Sequence, residues 1–175
     1  MIIRPETEAD HDEIRRVVRA AFGSDGEPAL VERIRTSVEY LPELALVAEH
    51  EGRVVGHVMI SGATLRSTDG DNPIVMLSPL AVDPEVQRGG IGGALVREVT
   101  RRAEQAGYRF VVLEGSPAYY CRFGFEPAAE YGVTMPLPDW APVEAAQLLP
   151  LQGCSPADLH GGGHVVYPPA FDGLE

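Results

Sequence analysis

Positive charge is scarce in this chain. Fourteen lysines and arginines face 26 aspartates and glutamates, leaving a formal net charge of −12. Such a surface repels nucleic acid and anionic membranes over long range, so neither is expected as a partner. An anionic ligand must instead be held by local groups, such as helix N–H donors and a few arginines. Cysteine is nearly absent: Cys121 and Cys154 stand alone, with no Cys-x-x-Cys pair. That excludes a disulfide-stapled scaffold and predicts a reduced, cytoplasmic setting. No export signal and no apolar run of membrane-spanning length is found; Met1-Ile-Ile-Arg-Pro5 starts directly as folded sequence. No internal repeat or linker divides the 175 residues, which predicts one domain. The 15 prolines and 19 glycines gather toward the C-terminal half. Residues 1–127 are therefore expected to form the packed core, and 128–175 a loop-rich segment whose strands complete the fold.

Periodicity orders the elements. Ile2 to Arg4 predicts a short strand stopped by Pro5. Thr7 caps a helix whose stripe is Ile14, Val17, Val18, Ala21 and Phe22, at helical spacing. A second helix begins near Pro28. Leu44–His50, Arg53–Leu65 and Ile74–Val82 then read as strands joined by short turns, which is a meander and not a series of βαβ units. A helix follows with Ile91, Leu95, Val99, Ala103 and Ala106 on one side, stopped by Gly107. Tyr108–Glu114 is the next strand, and strand-helix-strand implies a parallel crossover. A short helix over Ala118–Arg122 leads to a strand over Phe123–Pro127; Ala145–Leu151 and Gly161–Tyr167 are the last candidate strands.

Two familiar phosphate loops are excluded by what is missing. The dinucleotide fingerprint needs a glycine where Leu95 stands, and a P-loop needs Gly-Lys-Ser/Thr, which is absent. What remains is a glycine cluster, Gln87-Arg-Gly-Gly-Ile-Gly-Gly93, between an apolar strand and a helix. The first N–H groups of a helix lack partners within it and lie at the positive end of its dipole, which makes a seat for an anion.

Gln87-x-x-Gly90-x-Gly92 resembles the acyl-CoA signature of the GNAT superfamily of N-acetyltransferases, and Tyr120-Cys-Arg-Phe-Gly124-Phe125 resembles that family's second motif. The order of elements over residues 1–127 is similar as well, and the tail is similar to a bacterial subfamily of unassigned substrate. The resemblance implies a mixed α/β (α+β) fold with a mostly antiparallel central sheet flanked by helices, splayed between strands four and five. It implies acetyl-CoA as co-substrate and no metal. Arg88, Gly89, Gly90, Ile91, Gly92 and Gly93 would offer N–H groups to the pyrophosphate, with Gln87 opening the motif. Leu80, Ala81 and Val82 would offer backbone partners to pantetheine, and an N–H near Val82 would polarise the acetyl carbonyl.

The amine acceptor then attacks directly, and Tyr120 matches the family's general acid. Tyr119 is expected to pack beside it. The fourth strand carries no carboxylate or histidine, so the amine is expected to lose its proton through water held by Glu114, with Ser78 and His57 as other candidates. No histidine is spaced to activate Cys121 as a nucleophile, and His160 and His164 lack a partner carboxylate at metal-ligand spacing. Phe22, His57, Tyr131, Trp140 and the C-terminal loop are candidates for the acceptor side. The acceptor is a small-molecule or peptide amine, and a homodimer is compatible with the resemblance. The rival reading is a non-catalytic acyl-CoA-binding or sensing module.

Overall fold

The structure, a computed structural model, describes residues 1–173; Leu174 and Glu175, the end of the expected domain, lie outside the described residues. Strand β1 (Ile2–Pro5) is followed by helices α1 (His11–Phe22) and α2 (Gly26–Arg35). The meander is β2 (Ala45–His50), β3 (Arg53–Ser67) and β4 (Gly70–Val82). Helix α3 (Ile91–Gln105) crosses to β5 (Phe110–Glu114), and α4 (Pro117–Tyr120) follows. The rest is β6 (Glu126–Pro127), β7 (Val133–Thr134), β8 (Ala146–Pro150) and β9 (Gly163–Val166). No helix among the described residues is long and apolar enough to cross a membrane.

The strands form one sheet in the order β1-β2-β3-β4-β5-β8-β6, with β9 on β3 and β7 on β9. Only β4–β5 and β7–β9 run parallel; every other pairing is antiparallel. The long strand β3 shares one edge between β2 and β9, which takes up Thr64 to Arg66. Both faces are buried. Val17, Ile34, Val47, Met59, Met76 and Phe171 fill the face under α1, α2 and the C-terminal segment. Leu46, Val58, Ile60, Leu95, Val99 and Val111 fill the face under α3.

Three local readings differ from expectation. A turn of 3₁₀ helix over Glu8–Asp10 precedes α1, and the Asp10 carboxylate accepts the Thr7 N–H at 2.8 Å. The segment expected as a strand from Phe123 turns through a 3₁₀ helix, Cys121–Phe123, and only Glu126–Pro127 joins the sheet; Gly124, at φ 93°, makes that turn possible. Ala106 lies one residue past α3 and is exposed, since the helix stops before its side is covered.

A buried charged cluster sits beside the sheet. Glu6, with a side chain only 1% exposed, accepts from Arg35 at 2.8 and 3.1 Å and from the Tyr40 hydroxyl at 2.7 Å. His57 Nε2 stands 3.3 Å from the same carboxylate, outside hydrogen-bond geometry. Burial would raise the Glu6 pKa, but His57, Arg35 and Tyr40 outweigh it and hold the carboxyl far below the usual range.

Candidate active site

The turn between β4 and α3 is built to leave donors free. Asp83 closes the strand: its carboxylate accepts the Glu85 N–H at 3.0 Å and Arg16 Nη1 at 2.9 Å, while its own N–H donates to Val55 at 2.8 Å. The Arg16 contact, followed by the Glu85 N–H, lowers its pKa. The Gln87 side chain donates back to the Val82 carbonyl at 3.0 Å, folding the loop onto the strand it left. Arg88 and Gly90 both take positive φ, 72° and 83°, which turns the chain sharply into the helix. The first backbone bond of α3 runs from the Ala94 N–H to the Gly90 carbonyl at 3.0 Å. The N–H groups of Gly90 to Gly93 thus have no acceptor within the helix. Helices α1 and α2 carry acids in their first turns; α3 carries none. A positive helix end with no acid in its first turn suits a phosphate.

This helix end opens into a cavity of about 610 Å³. Its walls include Leu80, Ala81 and Val82 of β4, and Gln87, Arg88, Gly90, Gly92 and Gly93 of the turn. Gly89 and Ile91 belong to the same turn but do not line it. Ala21 and Phe22 close the cavity from α1, and Tyr119 and Arg122 from the α4 side. Arg122 lies 5.0 Å over the Tyr119 ring and Arg97 4.9 Å over Phe123, so two guanidinium groups are held near the helix start. The cavity exists because the sheet splays. Strands β4 and β5 pair only at Val75–Val111 and Met76–Val112, after which β5 continues with β8 and β4 with β3 alone. The β4 edge from Leu77 to Val82 therefore faces an opening, where an amide-bearing chain can align.

The two tyrosines divide differently from expectation. Tyr119, expected to pack, lines the cavity, and a Cβ added at Gly92 would lie 2.7 Å from its hydroxyl. Tyr120 sits behind it, half-buried, edge-on to Tyr119 at 4.9 Å and to Phe125 at 5.6 Å. A Cβ at Gly115 would lie 2.6 Å from the Tyr120 ring, so that glycine makes its room. Burial pushes the Tyr120 phenol up to about 12. It is protonated at neutral pH.

Glu114 ends β5 and is exposed. It lines two smaller cavities, of about 200 and about 350 Å³. Ser78 and Tyr167 share the first with it, and Trp140 shares the second. The Tyr167 hydroxyl is buried beside the Glu114 carboxylate, and burial followed by that carboxylate drives its ionisation well above the phenol range. His57 is not with them; it is fully buried against Glu6. Tyr131 is buried and donates to Glu126 away from these cavities. Phe22 lines the large cavity instead. Cys121 is exposed and Cys154 buried, both as free thiols. No group of three metal-ligating side chains occurs among the described residues, and His164 Nδ1 is engaged with the Thr134 hydroxyl at 2.7 Å.

Sequence reasoning named the C-terminal loop as a whole but did not single out Arg122, Tyr167 or the prolines that line these cavities. Arg122 lies inside the Tyr120–Phe125 motif, which was the available signal. Nothing in the spacing of Tyr167 pointed to Glu114.

Comparison with known proteins places this geometry. The family model described as an acetyltransferase (GNAT) domain matches residues 2–128. The uncharacterized N-acetyltransferase YjhQ of Escherichia coli is 37% identical over 135 residues, covering 75% of this chain and 74% of that protein. The crystal structure of the E. coli GNAT-family N-acetyltransferase YhbS in complex with CoA superposes with a TM-score of 0.86 at 32% identity, covering 99% of this chain and 93% of that one. A GNAT-family acetyltransferase of Brucella melitensis in complex with acetyl-CoA gives a TM-score of 0.77 at 32% identity, covering 98% and 97%.

Proposed function

Because the chain belongs to the GNAT family of acetyltransferases, we propose that this acetyl-CoA-dependent enzyme acetylates a primary amine by direct attack, with Tyr120 as general acid. The observation that carries the reading is the free N-terminus of α3 opening into the cavity at the β4/β5 splay. Arg88 to Gly93 suit the pyrophosphate of acetyl-CoA, with Gln87 fixing the turn. The open edge over Leu80, Ala81 and Val82 suits the amides of pantetheine. When bound there, acetyl-CoA supplies an activated acetyl thioester.

The chain's own residues have three tasks. A backbone N–H near Val82 polarises the carbonyl. Glu114, at the end of β5 and beside Ser78, holds the water that takes the amine's proton. Tyr120 returns a proton to the departing thiolate; its raised pKa keeps it in the donor form at neutral pH. Residues 128–173 act with the core as one domain, a reading supported by β8 and β9 joining the same sheet.

The test is steady-state release of CoA with a panel of amines. Tyr120→Phe should lose about 10²-fold or more in kcat, the scale of lost general-acid catalysis, with little change in acetyl-CoA KM. Full turnover in that variant removes Tyr120 as the acid. A second reading has a specific observation behind it: Tyr119, not Tyr120, lines the cavity, and Tyr119→Phe tests it in the same assay. If the protein binds acetyl-CoA but transfers acetyl to no amine, it is an acyl-CoA-binding module instead. Self-acetylation on lysine cannot confuse the assay, since all fourteen basic residues are arginine.

A further inference from the structure

The two small cavities that share Glu114 differ in character. The first, about 200 Å³, brings Glu114 together with Ser78 and Tyr167, whose hydroxyl is buried beside the Glu114 carboxylate. The second, about 350 Å³, is walled by prolines and alanines and by Trp140, a residue 85% exposed. Pro138 and Glu114 line both, so the cavities meet at the carboxylate. No arginine or histidine lines either one. An ammonium entering here meets a carboxylate and hydroxyl oxygens, whereas a carboxylate would face Glu114 with no cation to offset the repulsion.

Resting on the reading that Glu114 faces the acceptor, we infer that the acceptor is a small primary amine with an aromatic or bulky apolar body and no carboxylate. Its amino group sits among Glu114, Ser78 and Tyr167, and its body lies against Pro138 and Trp140. Pro138, Trp140 and Tyr167 fall outside the span matched by the family model, residues 2–128. The tail therefore sets acceptor choice on a shared cofactor-binding core. The reaction is an ordinary aminolysis: the amine nitrogen bonds to the acetyl carbon, the carbon–sulfur bond breaks, and the amine's proton leaves as the thiolate gains one.

The experiment compares phenethylamine, phenylalanine, ethylamine and a lysine-bearing tetrapeptide as acceptors for the full chain with acetyl-CoA. Phenethylamine should exceed phenylalanine and ethylamine by about tenfold or more in kcat/KM, the scale of a filled apolar pocket and of an unmatched charge. Trp140→Ala, at an exposed site, should lower the phenethylamine-to-ethylamine ratio by about fivefold. Transfer that favours phenylalanine, ethylamine or the peptide overturns the inference and leaves acetyl transfer standing. If no amine is acetylated, the proposed reaction falls, and calorimetry of phenethylamine with the CoA-loaded protein decides the site. Saturable binding weakened by Trp140→Ala supports it, and no binding overturns it.

Discussion

Asp83 couples the stability of the fold to the shape of the cofactor turn. Asp83→Ala removes the acceptor for the Glu85 N–H, the acceptor for Arg16, and the hold on the chain where it leaves β4. Losing the cap costs about 1 kcal/mol. Losing a charge-assisted hydrogen bond costs about 1.5–3 kcal/mol when buried. Here the Asp83 side chain is 9% exposed but Arg16 is 39% exposed, so solvent screens the pair. We take about 1–1.5 kcal/mol for it, between what exposed pairs and charge-assisted hydrogen bonds give. The sum is about 2–2.5 kcal/mol, to be read as a lower urea midpoint at unchanged slope. Asp83→Asn keeps an acceptor for Glu85 and should lose roughly half as much. Because the turn sets the direction of the free N–H groups, acetyl-CoA affinity measured on the still-folded Ala variant should also fall, by about tenfold, or about 1.4 kcal/mol. A variant that unfolds with the wild type and binds acetyl-CoA equally well would refute the coupling.

Acid should unfold the protein through buried carboxylates. Glu6 is held far below the usual range, against burial, by His57, Arg35 and Tyr40, and Asp10 is lowered to about 2, mainly by Arg4. Folded pKa values below the unfolded ones mean that this stabilisation is complete above about pH 4.5 and is lost as pH falls past 2. Urea midpoints taken from pH 7 to 3 should drop in the lower part of that range, and Glu6→Gln, which has no charge to lose, should flatten the drop; an equal drop in that variant would clear Glu6 of the role. The same substitution at pH 7 should cost about 3 kcal/mol by leaving Arg35 without its buried counter-charge, and a change under about 1 kcal/mol would contradict the burial described. At Gly162, φ is 83° and a Cβ would collide with the Gly132 carbonyl. Gly162→Ala should therefore lower the melting temperature by several degrees (about 2 kcal/mol or more), whereas at open Gly153 the same change should cost less.

What could be read from the chain was what lies close together in it. Gln87 to Gly93 and Tyr120 to Phe125 are contiguous, so the motifs that mark the family could be recognised residue by residue. Strand and helix positions were legible because both faces of the sheet are buried and the stripes at Ile14–Val18 and Leu95–Val99 repeat at helical spacing. In the walls of the small cavities Glu114, Ser78 and Trp140 were candidates by type, but their meeting with Pro138 and Tyr167 was not legible, because these residues come from distant segments and share no period. Glu6 was missed for another reason. One acid between a strand and a helix looks solvated until Arg35 and Tyr40 are seen to close over it. Neighbouring tyrosines point in different directions on a short helix, so the roles of Tyr119 and Tyr120 depended on where α4 docks.

The place of β8 between β5 and β6 has a consequence for synthesis on the ribosome. β6 pairs with β8 and with no other strand among the described residues. The turn bearing Tyr120 emerges with β5 but cannot be held at its far end until residues 146–150 have also emerged. A nascent chain that has reached Pro127 contains both motifs and nearly all of the family-matched span. It still presents Phe110–Glu114 as a bare apolar edge, ready to pair with another chain. Protection of the half-made enzyme thus falls to a late segment, and a cell that stalls translation there holds the β4–α3 turn without the strand that closes the turn bearing Tyr120.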